Sequence, residues 1–310
     1  MMKNNEIQSQ NERIYGVGVD IGGTKMITVI VDHEGHVIYQ KKVSTSGDFE
    51  AISIQITECL QASDVTMDQV AAIGFGVPGI TDSKEGTVIE APAFKWDHMP
   101  FKKEIRKFLD KPIFVNNDVN CAALGERWVG TAKSLEDFVV ITLGTGVGSA
   151  IVANGSLIQG SGYMAGELAY LVMDKDVLDN KENAFGEFGL YENKISGVAL
   201  SQHGYLAHEL FEMYTRGEQN AVAVIQEFVT NLSMGIANMV SLLNPQKVII
   251  GGGVSRSLPV CLDLIRSTVA SLTPIPTTIE LTALGEEAGA VGAAAFAFEQ
   301  LGTIKRGLVS

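Results

Sequence analysis

Two periodicities alternate along the chain. Gly16 to Val31 carries strand-forming residues on both sides of Gly22-Gly23, and Asp32-His33-Glu34-Gly35-His36 then turns the chain into Val37 to Val43. This predicts a meander of antiparallel strands. Ile52, Ile56 and Leu60 recur at helical spacing, and Val70 to Val77 is an apolar run of strand length ending in Pro78-Gly79. Phe101, Ile105, Phe108 and Leu109 predict one helix face, with Lys102, Lys103, Arg106 and Lys107 on its solvated side. Ile113 to Val115 reads as a short strand running into Asn116-Asn117-Asp118, with a helix over Val119 to Trp128.

The second half repeats the pattern. Phe138 to Leu143 and Ser149 to Val152 form another strand, glycine turn and strand. Ala221 to Leu243 is a long apolar helix stopped by Asn244-Pro245. Val248 to Ile250 is a strand entering Gly251-Gly252-Gly253, followed by a helix around Leu258 to Val269 and a last helix over Glu286 to Leu301. The two glycine-turn hairpins begin 122 residues apart, at Gly22 and Gly144, which suggests duplication of one unit. Strands alternating with helices make the fold class α/β, and 310 residues favour two domains.

Composition narrows the function classes. Hydrophobic residues at 46% and charged residues at 19% describe a globular chain. A net charge of −13 argues against non-specific binding to nucleic acid or anionic membranes. It leaves room for a small anionic ligand, because backbone N–H groups hold phosphates whatever the global charge. Cys59, Cys121 and Cys261 are scattered, which argues against disulfides and a cysteine zinc site. Met1 to Ile14 is polar and has no signal-peptide core, and no apolar run reaches membrane-span length, so a cytoplasmic location is expected.

Several common chemistries lack their motifs. There is no GxxxxGK[ST], HExxH or GxSxG, and the five histidines show no metal-ligand spacing. Gly74 to Gly79 matches the string GxGxxG, but the turn over Thr81 to Gly86 follows where a dinucleotide site needs a helix.

Four elements combine positively. In Asp20-Ile21-Gly22-Gly23-Thr24-Lys25 the glycines let backbone approach an anion, Thr24 and Lys25 can donate to it, and Asp20 can hold a hydrated Mg²⁺. Leu143-Gly144-Thr145-Gly146-Val147-Gly148 is its counterpart in the second half, and Gly251-Gly252-Gly253 leaves bare backbone for a flat ring at a strand end. The fourth is Asn116-Asn117-Asp118-Val119-Asn120. Read locally, Asp118 is a helix N-cap; read with the glycine loops, it is a general base aimed from a strand end into a cleft, with Asn117 binding the hydroxyl.

These residues resemble the ROK family (repressors, open reading frames and sugar kinases), within the actin/hexokinase-like ATPase superfamily, from about Ile14 to Leu301. The resemblance implies two RNase H-like lobes with ATP and sugar in the cleft between them. Residues 1–118, completed by the C-terminal helix at about 286–310, would form the small lobe, and 119–285 the large one. It implies that the loops at Gly22, Gly23, Thr24 and Lys25 and at Gly144, Thr145 and Gly146 take the phosphates of ATP, with Mg²⁺ held through water by Asp20. Gly251, Gly252 and Gly253 would take the adenosine. Asp118 would deprotonate a sugar 6-hydroxyl, with Gly79, Asn117, Glu167, Tyr170 and Glu192 as sugar ligands. The implied activity is an ATP-dependent hexose kinase acting on glucose or a related hexose, with N-acetylmannosamine kinase or β-glucoside kinase as alternatives. A homodimer is also implied.

The chain departs from the family on the sugar side. Tyr170 stands where the family carries His, and the cysteine positions of its zinc segment hold Asn183, Phe185 and Leu190. No structural zinc is expected, with Phe185, Leu190 and Tyr170 forming an apolar cluster instead. The Asn often found before the Trp loop is also replaced, in Ala93-Phe94-Lys95-Trp96. A sugar-responsive repressor of the same family would need a DNA-binding segment that the short polar start does not offer, and the acidic charge points the same way. An actin-like assembly protein would have no use for Asn117, Asp118, Glu167 and Glu192 together.

Overall fold

The glycine pair at 22–23 closes a hairpin. β1 (Tyr15–Ile21) and β2 (Lys25–Asp32) pair antiparallel with Asp20 opposite Ile27, and β3 (Val37–Ser44) extends them. β4 (Val70–Val77) and β8 (Ile113–Asn117) add in parallel, so the first sheet runs β3-β2-β1-β4-β8. The computed structural model describes residues 14–304, so most of the polar start and the tail beyond Ile304 lie outside the described residues.

The second sheet repeats this plan. β9 (Phe138–Leu143), β10 (Val147–Ala153) and β11 (Ser156–Ile158) are antiparallel, and β12 (Lys247–Gly251) and β13 (Thr278–Leu281) add in parallel, in the order β11-β10-β9-β12-β13. The repeat marked by glycine spacing is therefore a repeat of topology. A small antiparallel sheet, β5 (Ile80–Asp82), β6 (Thr87–Ala91) and β7 (Trp96–Met99), branches off after Pro78-Gly79. Its strands are too short to show a period in the sequence.

Helices cover both sheets. α1 (Phe49–Ala62), capped by the Asp48 side chain, buries Ile52, Ile56 and Leu60 against the first sheet. The predicted helix around Phe101 shortens to α2 (Phe101–Ile105); Leu109 is buried, but Phe108 faces solvent. After α3 (Asp118–Val129) come four short helices: α4 (Asp174–Leu178), α5 (Glu192–Ile195), α6 (Gly197–Ser201) and α7 (Ala207–Thr215). α8 (Gln219–Leu243) ends at left-handed Asn244 before Pro245. The helix predicted around Leu258 to Val269 is two pieces, a 3-10 stretch Gly253–Val260 containing Pro259 and then α9 (Leu262–Leu272). A 3-10 turn at Gly285–Glu287 delays the last helix, α10, to Ala288–Leu301. Among the described residues no helix is long and apolar enough to cross a membrane.

Glycines set the central layer. α10 lies against the first sheet and crosses α3, whose Ala123 packs into the second sheet's core with Phe138 and Val140. A Cβ on Gly18 or Gly74 would stand 1.9 or 1.8 Å from the Ala290 or Ala293 carbonyl oxygen, and one on Gly292 would stand 1.6 Å from the Cys121 carbonyl oxygen. Gly74, the first glycine of the GxGxxG string, thus serves helix packing. The close approach of α10 and α3 places the α3 N-terminus, and with it Asp118, between the two sheets.

Candidate active site

Asn117 and Asp118 divide the work at the end of β8. Asn117, not Asp118, caps α3: its Oδ1 accepts from the N–H groups of Val119 and Asn120 at 2.9 and 3.0 Å. Asp118 is the first helical residue, so the local N-cap reading fails for it. Its Oδ1 accepts from its neighbour Val119 N–H at 2.9 Å. Asn117 Nδ2 donates to the Gly79 carbonyl at 2.9 Å, and the same side chain hydrogen-bonds the Asp118 carboxylate. Gly79 is fixed by its turn: φ is +84°, and a Cβ there would meet the Glu90 carbonyl oxygen at 2.0 Å.

Carboxylates converge around Asp118. Burial pushes its carboxyl up to about 6, against the opposing pull of the Val119 N–H. Asp20, at the end of β1, is raised well above the usual carboxylate range by burial and then by Asp118, and its Oδ1 is buried without a partner. Glu167 is raised by burial first, then by Asp118 and Glu192. Glu192 Oε1 in turn accepts from Val147 N–H at 2.7 Å and Oε2 from Gly189 N–H at 3.1 Å. The electrostatic chain from Asp20 to Glu192 therefore ends on the Gly144 loop.

The glycine loops flank this row. Gly22 N–H donates to the Lys25 carbonyl at 2.9 Å, and Gly23, Thr24 and Lys25 stand exposed with open space above Gly23. Gly144 N–H donates to Gly146 at 2.9 Å, and the Gly144 carbonyl accepts from Gly197 at the start of α6 at 2.8 Å. A Cβ on Gly146 would stand 2.2 Å from Glu192 Oε1. Gly252 needs φ +84° and passes 2.5 Å, Cβ to oxygen, from Leu143, while nothing lies within 4 Å above Gly253. A cleft of about 410 Å³ joins Gly144, Thr145, Gly197, Val198, Gly253 and Val254. The first glycine loop does not line that cleft.

The sugar-side departures resolve differently from the expectation. Phe185 is 63% exposed, so the apolar cluster of Phe185, Leu190 and Tyr170 does not form. A polar clasp stands there instead: Asn183 Nδ2 donates to the Tyr170 carbonyl at 2.9 Å, and Asn183 Oδ1 accepts from Leu190 N–H at 2.8 Å. A single amide satisfies two backbone groups, which an exposed loop needs more than a surface phenyl ring. The Tyr170 hydroxyl reaches the Glu187 carbonyl at 3.4 Å. Sequence reasoning passed over His208, which borders the 410 Å³ cleft, and Gln159, whose side chain joins the two halves. Neither stands in a motif.

The sequence profile of the ROK family matches residues 16–300. A glucokinase of Halalkalibacterium halodurans is 28% identical, over 94% of this chain and 97% of its own. An N-acetyl-D-glucosamine kinase of Citrobacter koseri is 29% identical, over 89% and 97%. A ROK glucokinase of Streptomyces griseus, solved in complex with glucose and AMPPNP, superposes with a TM-score of 0.76 at 29% identity, covering 92% of this chain and 99% of that one.

Proposed function

Because the chain belongs to the ROK family, we propose that it is an ATP-dependent sugar kinase that phosphorylates the 6-hydroxyl of glucose or a related hexose, with Asp118 as general base. The observation that carries this reading is the placement of Asp118: a carboxylate poised near 6 at a helix start between the two sheets, electrostatically joined to Asp20 and Glu167. The Streptomyces griseus relative binds a sugar and a nucleotide analogue, which supports the same pair of ligands here.

In this mechanism the hexose lies against Gly79, Asn117, Glu167, Tyr170 and Glu192. Asp118 accepts the 6-hydroxyl proton as that oxygen bonds to the γ-phosphorus of ATP; the bond to the β–γ bridging oxygen breaks and ADP leaves. The proton on Asp118 then passes to solvent. Backbone groups at Gly22, Gly23, Gly144 and Gly146, with Thr24, Lys25 and Thr145, hold the phosphates, and Gly251, Gly252 and Gly253 lie under the adenosine. The orphaned Asp20 Oδ1, an oxygen donor in an acidic surround, fits a hydrated Mg²⁺. Bound there, Mg²⁺ would offset charge on the transferring phosphate.

The same reading assigns 1–118, with the C-terminal segment at about 286–310, to one lobe and 119–285 to the other, and the packing of α10 on the first sheet supports this division. A cytoplasmic homodimer is part of it. The test is ADP release in a coupled assay with glucose, mannose, N-acetylmannosamine, N-acetylglucosamine and a β-glucoside. Sugar-dependent ADP release with one preferred acceptor is expected; ATP hydrolysis indifferent to every sugar would overturn the proposal.

Two expectations follow directly. Asp118 must be ionised to act, so kcat/KM should fall about tenfold per pH unit below about 6 and level off above it. A pH–rate profile flat down to pH 5 would remove Asp118 as the base. The Asn183 clasp occupies the loop where the family carries zinc, so elemental analysis of the purified protein should find no stoichiometric zinc. One zinc per chain would contradict that assignment.

A further inference from the structure

Gln159 follows β11, on the second sheet's side of the cleft, in a stretch with no recognisable motif. Its side chain reaches across to two elements of the first half. Gln159 Oε1 accepts from Ser83 Oγ at 3.1 Å, in the turn between β5 and β6. Gln159 Nε2 donates to Asn116 Oδ1 at 3.2 Å, at the end of β8. The same oxygen of Asn116 accepts from Asn117 N–H at 2.9 Å and from Asn120 Nδ2 at 3.3 Å. Asn116 is fully buried, and its Nδ2 has no partner. An unpaired buried amide group is costly, so its orientation is imposed by the three donors that meet its oxygen.

The main chain of Gln159 controls a second position. Its carbonyl accepts from Ala165 N–H at 3.1 Å and closes the loop 159–165. Gly166 then turns with φ +90°, its carbonyl taking Leu168 N–H at 2.6 Å and the Ser149 hydroxyl, and Glu167 sits between these anchors. Tyr163, in the middle of the loop at φ +60°, hydrogen-bonds Asp82, next to Ser83. The loop that ends in Glu167 is thus tied at two points to the β5–β6 turn and at one to β8, which ends at Asn117 just before Asp118.

We propose that Gln159 is a positioning residue, its amide bridge from Ser83 to Asn116 holding the Glu167 loop in register with Asn117 and Asp118. This rests on the sugar-kinase reading above. A hexose held by Glu167 must present its hydroxyl to Asp118, and a misplacement near 1 Å costs up to about a hundredfold in such reactions. The bridge stabilises the fold little, since each exchanged hydrogen bond is worth only about 1 kcal/mol net.

Gln159→Leu keeps the bulk and removes both bonds. With the preferred sugar, kcat/KM should fall about ten- to hundredfold, through both kcat and the sugar KM, while the ATP KM stays within about twofold. Ser83→Ala should shift the same constants more weakly. The double variant should be no worse than Gln159→Leu, because Ser83 acts through Gln159. Unchanged sugar constants in folded Gln159→Leu, an equal loss on the ATP side, or additive single effects would each overturn the proposal. Should Gln159→Leu not fold, unchanged sugar constants in Ser83→Ala would do so. Wild-type protein measured alongside separates the two levels: without sugar-dependent ADP release the kinase reading fails and the positioning role with it.

Discussion

Asp118→Asn is expected to lower kcat by about 10²- to 10⁴-fold, with sugar affinity changed by less than about threefold. The amide has the shape of the carboxylate and can still accept from Val119 N–H, so the start of α3 and the Asn117 cap stay in place. What it cannot do is take a proton. The charge lost also relaxes Asp20 and Glu167, both of which Asp118 holds up, so their ionised forms become easier to reach. Stability should move the opposite way to activity. The folded pKa of Asp118, about 6, lies above its ordinary value of 3.8, so the fold favours the protonated form. That contribution is complete below the ordinary value and lost as pH rises through about 6. At pH 7 wild type has lost it, and the uncharged variant should melt no lower than wild type. A variant that binds sugar normally, turns over poorly and is no less stable matches a base; one that loses sugar binding in parallel does not. Calorimetric titration of sugar with single-turnover kinetics separates the two.

Gly292→Ala should destabilise the protein by about 3 kcal/mol or more, although alanine is the better helix former by about 1 kcal/mol. The new methyl would stand 1.6 Å from the Cys121 carbonyl oxygen, 2.4 Å from its carbon and 2.8 Å from the Gly125 nitrogen, all backbone atoms. Relief requires α10 and α3 to separate. That shift would carry the α3 N-terminus, so activity should fall with stability even though Gly292 touches no ligand. Gly23→Ala is the matching control. A Cβ there meets nothing within 4 Å, so the denaturation midpoint should hold while phosphate binding weakens. Urea unfolding of both variants measures the contrast; equal midpoints would mean that the helix crossing has slack.

The hairpins, the repeat and the strand–helix junction at Asn117-Asp118 were legible because each combines a hydrophobic period with a glycine or asparagine stop at a fixed place. The small β5-β6-β7 sheet was not. Three to five residues per strand carry too little alternation, and the stacked Phe94 and Trp96 that anchor it sit on a 3-10 turn and a strand start. The short helices α4, α5 and α6 were equally silent, since four or five residues complete barely one turn. At the site, backbone loops announced themselves through glycine, whereas Gln159 is one ordinary polar residue whose role depends on what lies opposite. The loop around Asn183 was misjudged in the sequence, where an apolar cluster was expected. Two apolar residues suggested burial, and the observed clasp uses the polar one, Asn183.

The central claim is that phosphate passes from ATP to a hexose 6-oxygen brought to Asp118. It is tested most directly by ³¹P and ¹H correlation spectroscopy of the product formed from ATP, Mg²⁺ and the preferred hexose, with wild type and Asp118→Asn in parallel. The expected spectrum shows phosphorus coupled to the two protons on carbon 6 of the sugar with wild type, and no sugar phosphate on the same timescale with the variant. Phosphorus coupled to the anomeric proton, release of inorganic phosphate alone, or equal product from Asp118→Asn would contradict the account.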